Sequence, residues 1–301
     1  MINLMWRVGD ISITRLVEME LTIPGGPGSP LPDATPENVR PIGWLFPAFA
    51  TAEGWIKGSI HALLIQTPTQ RFIVDTCVGN DKPRNSPGFN QLATNFLADL
   101  ESLGWSLDSV DGVLCTHLHV DHVGWNTVLR DGRWVPTFPK ARYYLGRVEY
   151  EHWASELRGM DVTGEKDEYA LAMMDTMNTF TDSVKPIMDA DLVELVEVDS
   201  QIAPGIRLMS TPGHTPGHVS VVIESKGSRA VITGDMMHHP CQIARMDWCS
   251  AFDTDNQQST DTRQSFCEMF ADTPTLIIGT HWGGPTAGRL IREGSAYRLD
   301  V

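Results

Sequence analysis

Gly112-Val113-Leu114-Cys115-Thr116-His117-Leu118-His119-Val120-Asp121-His122 decides how this 301-residue chain is read. A short apolar run ends in four side chains that bind metals, all within six positions. Imidazole and carboxylate are the common nitrogen and oxygen ligands of divalent ions. His117 and His119 stand two apart, so an extended backbone turns both toward one face. Asp121 and His122 follow the bend and point at a neighbouring position. A single ion rarely takes four such ligands, whereas two ions a few ångströms apart divide them.

Three further candidates stand downstream, each just after an apolar run that reads as a strand. Ile206-Arg207-Leu208-Met209-Ser210 leads to Thr211-Pro212-Gly213-His214, Ala230-Val231-Ile232-Thr233-Gly234 to Asp235, and Leu276-Ile277-Ile278-Gly279-Thr280 to His281. The end of a strand followed by a short turn is where a rigid scaffold presents a side chain to a site.

Taken in this order, His-x-His-x-Asp-His, Pro-Gly-His, Thr-Gly-Asp and a C-terminal His resemble the metallo-β-lactamase-fold hydrolase superfamily, over roughly residues 60 to 285. The resemblance implies an α+β fold, an αββα sandwich. Two mixed β-sheets pack face to face, helices cover both outer faces, and the metal site lies at one sheet edge. It also implies two divalent metal ions, with zinc expected and manganese, iron or cobalt open. By position, His117, His119 and His214 hold the first metal, Asp121, His122 and His281 the second, and Asp235 bridges them. Asp75, in Phe72-Ile73-Val74-Asp75-Thr76, matches a family position that supports the site from outside the ligand shell.

The remainder of the chain bounds this reading. Its length suits one large core, so a single domain over residues 1–301, built from two similar halves, is expected. A net charge of −15 argues against a nucleic-acid surface, and no Lys- or Arg-rich run offsets it. Five cysteines without a CxxC pair read as reduced thiols of a cytoplasmic protein. The N-terminus shows no signal-peptide pattern, and no run of eighteen apolar residues points to a membrane span. A homodimer is expected from the resemblance alone.

Residues 9 to 20 read as an opening strand or hairpin, and the Pro/Gly-rich stretch at about 24–43 as a surface loop. The runs 61–66 and 71–75 form a hairpin around Thr67-Pro68-Thr69-Gln70. Apolar spacing predicts helices over 89–103, with Gly104 as the C-cap, and over 146–157 and 166–180. The third carries Met173, Met174 and Met177, read as core filling. A hairpin around Lys226-Gly227-Ser228 and a last helix over 260–270, capped by Ser259 or Thr260, complete the pattern.

Two divalent ions bring four positive charges, and Asp121 and Asp235 return two negatives, so a hydroxide between the ions is the natural complement. One zinc already lowers the pKa of bound water to about 7. The class supported is hydrolysis of a lactone, ester, amide or phosphotriester. Asp121 and His238 are the candidate catalytic residues. His238 stands three after Asp235, where methyl parathion hydrolase-like relatives have a His and lactonases a Tyr; it suits a hydrogen bond to an oxyanion or leaving group. His239, beside Pro240, reads as structural. Trp44, Phe46, Phe49, Trp125, Trp282, Met236 and Met237 suggest a pocket mouth for a small, fairly apolar ester- or lactone-like substrate. The alternatives are an iron-dependent dioxygenase of the same fold and a glyoxalase II-like thioesterase.

Overall fold

The computed structural model describes residues 4–158, 168–294 and 296–301. Sixteen strands among them run in chain order as β1 (Met5–Val8), β2 (Ile11–Ile23), β3 (Ile56–Gln66), β4 (Arg71–Val74), β5 (Gly112–Leu114), the ribbon β6 (Thr127–Arg130) and β7 (Arg133–Pro136), β8 (Arg142–Gly146) and β9 (Val193–Val196). The second half adds β10 (Gln201–Ala203), β11 (Ile206–Ser210), β12 (Val219–Ser225), β13 (Ser228–Ile232), β14 (Leu276–Ile278), β15 (Ala287–Glu293) and β16 (Ala296–Asp300). They form one seven-stranded sheet in the order β1-β2-β3-β4-β5-β8-β9 and another in the order β10 through β16. Both sheets are mixed. In the first, β4, β5, β8 and β9 run parallel, and in the second β13 and β14 do.

The chain divides into two compact units. One comprises the residues up to Met5, Ser12–Glu18 and His61–Glu197; the other comprises Trp6–Ile11, Met19–Ile60 and Val198–Val301. Within each, the central strands are near-continuous apolar runs, as strands covered on both faces must be. Leu63, Leu64, Ile65, Phe72, Ile73, Val74, Val113 and Leu114 are all buried, and so are Val221, Val222, Ile223, Val231, Ile232, Ile277 and Ile278.

Several expected elements shift. The helix expected over 89–103 is confined to α2 (Phe96–Ser102). Residues 91–94 give their backbone bonds to the loop before them: Gln91 N donates to Lys82 O, Asp81 N to Leu92 O, and Thr94 N to Asn80 Oδ1. The helix still stops before Gly104, which sits at φ 80°.

Residues 24–43 are not a pure surface loop. They include the helical turn α1 (Pro36–Val39), with Pro at its start, and they bury Leu31, Ala34, Val39 and Ile42 in the second unit's core. The helix α3 (Arg147–Arg158) is as expected. The next is described from α4 (Glu168–Thr179), which passes through a π-turn (Phe180–Val184) into α5 (Lys185–Asp189). Lys166, and the side chain of Met173, lie outside the described residues, while Met174 and Met177 are half-buried. Past α6 (Cys241–Ala244), the last helix α7 (Asn256–Phe270) starts a turn earlier than expected. Asp255, not Ser259 or Thr260, is its cap, accepting from Gln258 N at 2.9 Å. No helix among the described residues is long and apolar enough to cross a membrane.

Candidate metal centre

Strand register builds each ligand set. In the first unit, parallel β4 and β5 pair Val74 with Leu114, so the residues after both strands leave the sheet side by side. Asp75 follows one and Thr116 the other. Asp75, at φ 56°, accepts from Thr116 N at 2.8 Å and from Thr116 Oγ1 at 2.9 Å. The same carboxylate takes the Nδ1 proton of His122 at 2.8 Å. Thr116 Oγ1, its own proton committed to Asp75, accepts from His117 Nδ1 at 3.1 Å. One buried acid therefore fixes the tautomer of two imidazoles and leaves each with an Nε2 lone pair. His122 Nε2 lies 3.6 Å from Asp121 Oδ1, and the His117 ring centroid lies 4.5 Å from His119 and 4.1 Å from His122.

His119 is braced from α3. Its ring packs 5.5 Å from Trp153, whose indole donates to Glu149 Oε1 at 2.8 Å. The same buried carboxylate oxygen accepts from Leu118 N at 3.1 Å. After His122 the chain folds back tightly: a Cβ on Gly124 would overlap Val78 O. Trp125 donates to Glu18 Oε1 at 2.6 Å and stacks on Phe96 at 5.4 Å. Burial pushes the Glu18 carboxyl up, opposed by hydrogen bonds from Val78, Trp125, Thr94 and Gly79.

The second unit repeats the device at β13 and β14, where Ile232 pairs with Ile278. Asp235 and Thr280 follow these strands, and Thr280 Oγ1 donates to Asp235 Oδ1 at 3.0 Å. The β11–β12 connection carries His214 and His218 between Ser210 and its partner Val219. Gly213 there sits at φ 128°, with the backbone of Ser259 so close that any Cβ would collide. His214 Nδ1 donates to Asp253 Oδ1 at 2.9 Å, and His281 Nδ1 donates to Ser59 O at 3.1 Å.

With both Nδ1 protons committed, His214 and His281 present Nε2 lone pairs. Asp235 Oδ2 lies 3.0 Å from His281 Nε2, 3.3 Å from His238 Nε2 and 3.8 Å from His214 Nε2. Lone pairs crowded around one carboxylate oxygen repel unless a cation lies among them, so this donor set fits a divalent metal. In the first unit His122 and Asp121 oppose acceptors in the same way. Burial alone would raise the Asp253 carboxyl. The His214 hydrogen bond and the charge of Arg263 oppose it and hold Asp253 well below the usual carboxylate range.

Each predicted ligand thus falls into one of two sets: His117, His119, Asp121 and His122 with Asp75 in the first unit; His214, Asp235 and His281 in the second. His238 joins the second set. It is buried, not a partly exposed loop residue, and its ring lies 4.8 Å from His214 and 5.8 Å from His281. His239 is structural: Nδ1 accepts from Cys241 N, Nε2 donates to Phe49 O, and burial pushes the imidazole down to about 4.

Asp253, Glu149 and His218 escape the sequence reading. His218 Nε2 accepts from Asp235 N at 2.8 Å and so sets the Asp235 backbone. It was visible as the second Pro-Gly-His of Pro212-Gly213-His214-Thr215-Pro216-Gly217-His218. Four residues expected at a pocket mouth are packing residues instead: Trp125, Trp282, Met236 and Met237 are buried. Phe49 is buried too, with Trp282 edge-on to its ring.

The family model of the metallo-β-lactamase superfamily matches residues 55–281. The chain belongs to the metallo-β-lactamase superfamily. Its αββα fold agrees with that of solved members. A hydrolase, AbOPH, of the β-lactamase superfamily superposes with a TM-score of 0.80 at 24% identity, covering 99% of this chain and 97% of that one. AidC, a dizinc quorum-quenching lactonase solved with its product N-hexanoyl-L-homoserine, superposes at 0.78 and 20%, covering 99% and 96%. Among curated proteins, the N-acyl homoserine lactonase AiiA of Bacillus thuringiensis subsp. kurstaki is 26% identical over 185 residues, 58% of this chain. The match spans 61% of that relative's length.

Proposed function

We propose that the two ligand sets of this superfamily member serve one dinuclear centre, within a single domain, and that the chain is a metal-dependent hydrolase of lactones or related esters. The observation that carries the reading is the convergence of three imidazole Nε2 atoms on Asp235 Oδ2, with the far nitrogens of His214 and His281 already committed as donors. When bound, two divalent cations supply Lewis-acid polarisation and an activated water at neutral pH.

The chain's own residues do the rest. His117, His119 and His214 would hold one ion, Asp121, His122 and His281 the other, with Asp235 shared. Asp75, Thr116, Asp253 and the Ser59 carbonyl fix the tautomers of His122, His117, His214 and His281, so these rings would meet an ion with a lone pair and without reorganisation. His238 Nδ1 has no hydrogen-bond partner among the described residues. We assign the ring, whose Nε2 lies 3.3 Å from Asp235 Oδ2, to hydrogen-bond a reacting oxygen of the substrate beside that carboxylate.

The substrate class follows from the relatives named as N-acyl homoserine lactonases. A lactone carrying an apolar acyl arm is the first substrate to test, with aryl esters and phosphotriesters beside it. Zinc as the metal, a homodimer and a cytoplasmic location are the finer parts of the proposal.

The deciding experiment assays that panel on metal-stripped and metal-reconstituted protein, with metal content measured in parallel. Activity restored by two zinc or manganese ions per chain is expected. Full activity in the stripped protein overturns the proposal, as does a single iron with oxygen uptake. Sedimentation tests the dimer, and cell fractionation tests the location.

A further inference from the structure

Behind His214 stands a cation. Arg263, on α7, is fully buried. Its Nε donates to Met246 O at 3.0 Å, and Nη1 donates to Ser259 Oγ at 2.7 Å and to Met236 O at 3.4 Å. Nη2 donates to Thr260 Oγ1 at 3.2 Å. Its ionic partner is Asp253, whose Oδ2 lies 3.5 Å from Nη1. The other oxygen of Asp253 takes the Nδ1 proton of His214 at 2.9 Å. The guanidinium thus grips both the residue after Asp235 and the acid behind His214.

Among the described residues, no such cation pairs with Asp75. Asp75 meets His122 and is otherwise held by two neutral donors, Thr116 N and Thr116 Oγ1. Two imidazoles therefore rest on carboxylates of different effective charge. A carboxylate shared with a guanidinium carries less negative charge to its imidazole, and a buried positive charge opposes a divalent cation nearby.

We propose that Arg263 is a positioning residue for His214 and that its charge weakens the hold of His214 on the ion it would share with His117 and His119. It does so by offsetting the pull of Asp253. The inference rests on the reading of His214 as a metal ligand. A cation held less tightly is the more exposed electrophile, so the asymmetry would give the ion beside His214 and the ion beside His122 different chemical strengths.

The test is cobalt(II) binding to the intact chain, measured by its visible bands, for wild type, Arg263→Lys and Arg263→Gln. Lysine keeps the charge; glutamine keeps donors and loses it. Arg263→Gln is expected to bind cobalt about tenfold more tightly, and Arg263→Lys to stay near wild type. Weaker binding in Arg263→Gln means a merely structural role and overturns the proposal, and so does equal binding in all three. A wild-type protein that takes up no cobalt overturns the metal reading itself, and this inference with it.

A measurement on the wild-type chain alone covers the case in which a variant fails to fold. In the zinc-loaded protein, the Nδ1 proton of His122 should resonate further downfield than that of His214, because Asp75 is the stronger acceptor. The reverse order, or coincidence, overturns the proposal.

Discussion

The two ligand sets are built by the same device and read from sequence in opposite ways. Four ligands of the first come from one six-residue stretch, and only Asp75 arrives from elsewhere. The three of the second come from three separate loops. Both are organised by a pair of parallel strands that end side by side, β4 with β5 and β13 with β14. Spacing along the chain therefore matters less than register across the sheet. His117 to His122 announce themselves by density, whereas Asp235 and His281 meet because Ile232 and Ile278 are neighbours.

The largest expected effect comes from removing the residue on which the second set converges. Asp235→Ala takes away the carboxylate faced by His214, His238 and His281. It should lower kcat/KM on the order of a thousandfold or more and reduce bound metal, read by elemental analysis beside steady-state kinetics. His119→Ala should do the same to the first set while leaving the Asp75–Thr116–His122 bracket in place, so its melting temperature stays near that of metal-free wild type. Either variant retaining full activity with full metal would break the comparison at its root.

A smaller effect sharpens it. Outer partners of ligating histidines are typically worth about ten- to a hundredfold in metal affinity, so Asp75→Asn and Asp253→Asn should both fall in that range. The two should then part in stability. Asp75 also satisfies a buried backbone N–H and a buried hydroxyl of Thr116, each costing about 1–3 kcal/mol if left unpaired. Asp253→Asn keeps a carbonyl oxygen for Ser250 N but leaves the buried Arg263 guanidinium without its carboxylate, a loss of about 3–5 kcal/mol. Denaturant melts of the metal-free variants check this, with Asp253→Asn expected to be the less stable.

Much of this architecture was legible in the chain, and the parts that were not share a cause. The strands before each ligand were visible as apolar runs. The α7 cap was misplaced by a turn because Asp255 competes with Ser259 and Thr260 as a plausible cap, and only the backbone shows which N–H it meets. The helix over 89–103 was cut back by hydrogen bonds to residues 80–82, a tertiary demand that local spacing does not carry. Asp253 and Glu149 stayed hidden for the same reason: an outer carboxylate is chosen by where its loop or helix lies in space. The aromatic and Met residues beside the ligands were assigned to a pocket on adjacency alone. In the fold adjacency alternates faces, and Trp282 turns away from His281 to donate to Met237 O.

His238 should separate chemistry from metal binding. His238→Ala is expected to lower kcat by about a hundredfold, within the range of general acid–base groups, at unchanged metal content. Loss of metal in that variant would make His238 a ligand instead. Unchanged kinetics on every hydrolysed substrate would leave it a packing residue.

The smallest effect concerns its neighbour His239, and here the readout is folding stability. Burial holds this imidazole down to about 4 in the native chain, against about 6.5 when unfolded. Between those values the unfolded chain binds the extra proton and the native chain does not, so stability falls as pH drops from 6.5 toward 4. The full difference is worth up to about 3 kcal/mol. His239→Gln preserves a donor for Phe49 O and cannot titrate. Its stability, measured by denaturant melts of metal-free protein, should fall less steeply than wild type across that window and converge on the wild-type slope above pH 7. Every other histidine is common to both proteins, so the difference between the two curves isolates His239. Parallel curves would mean that this imidazole takes up its proton in place, and that the Phe49–His239–Cys241 bridge is looser than its hydrogen bonds indicate.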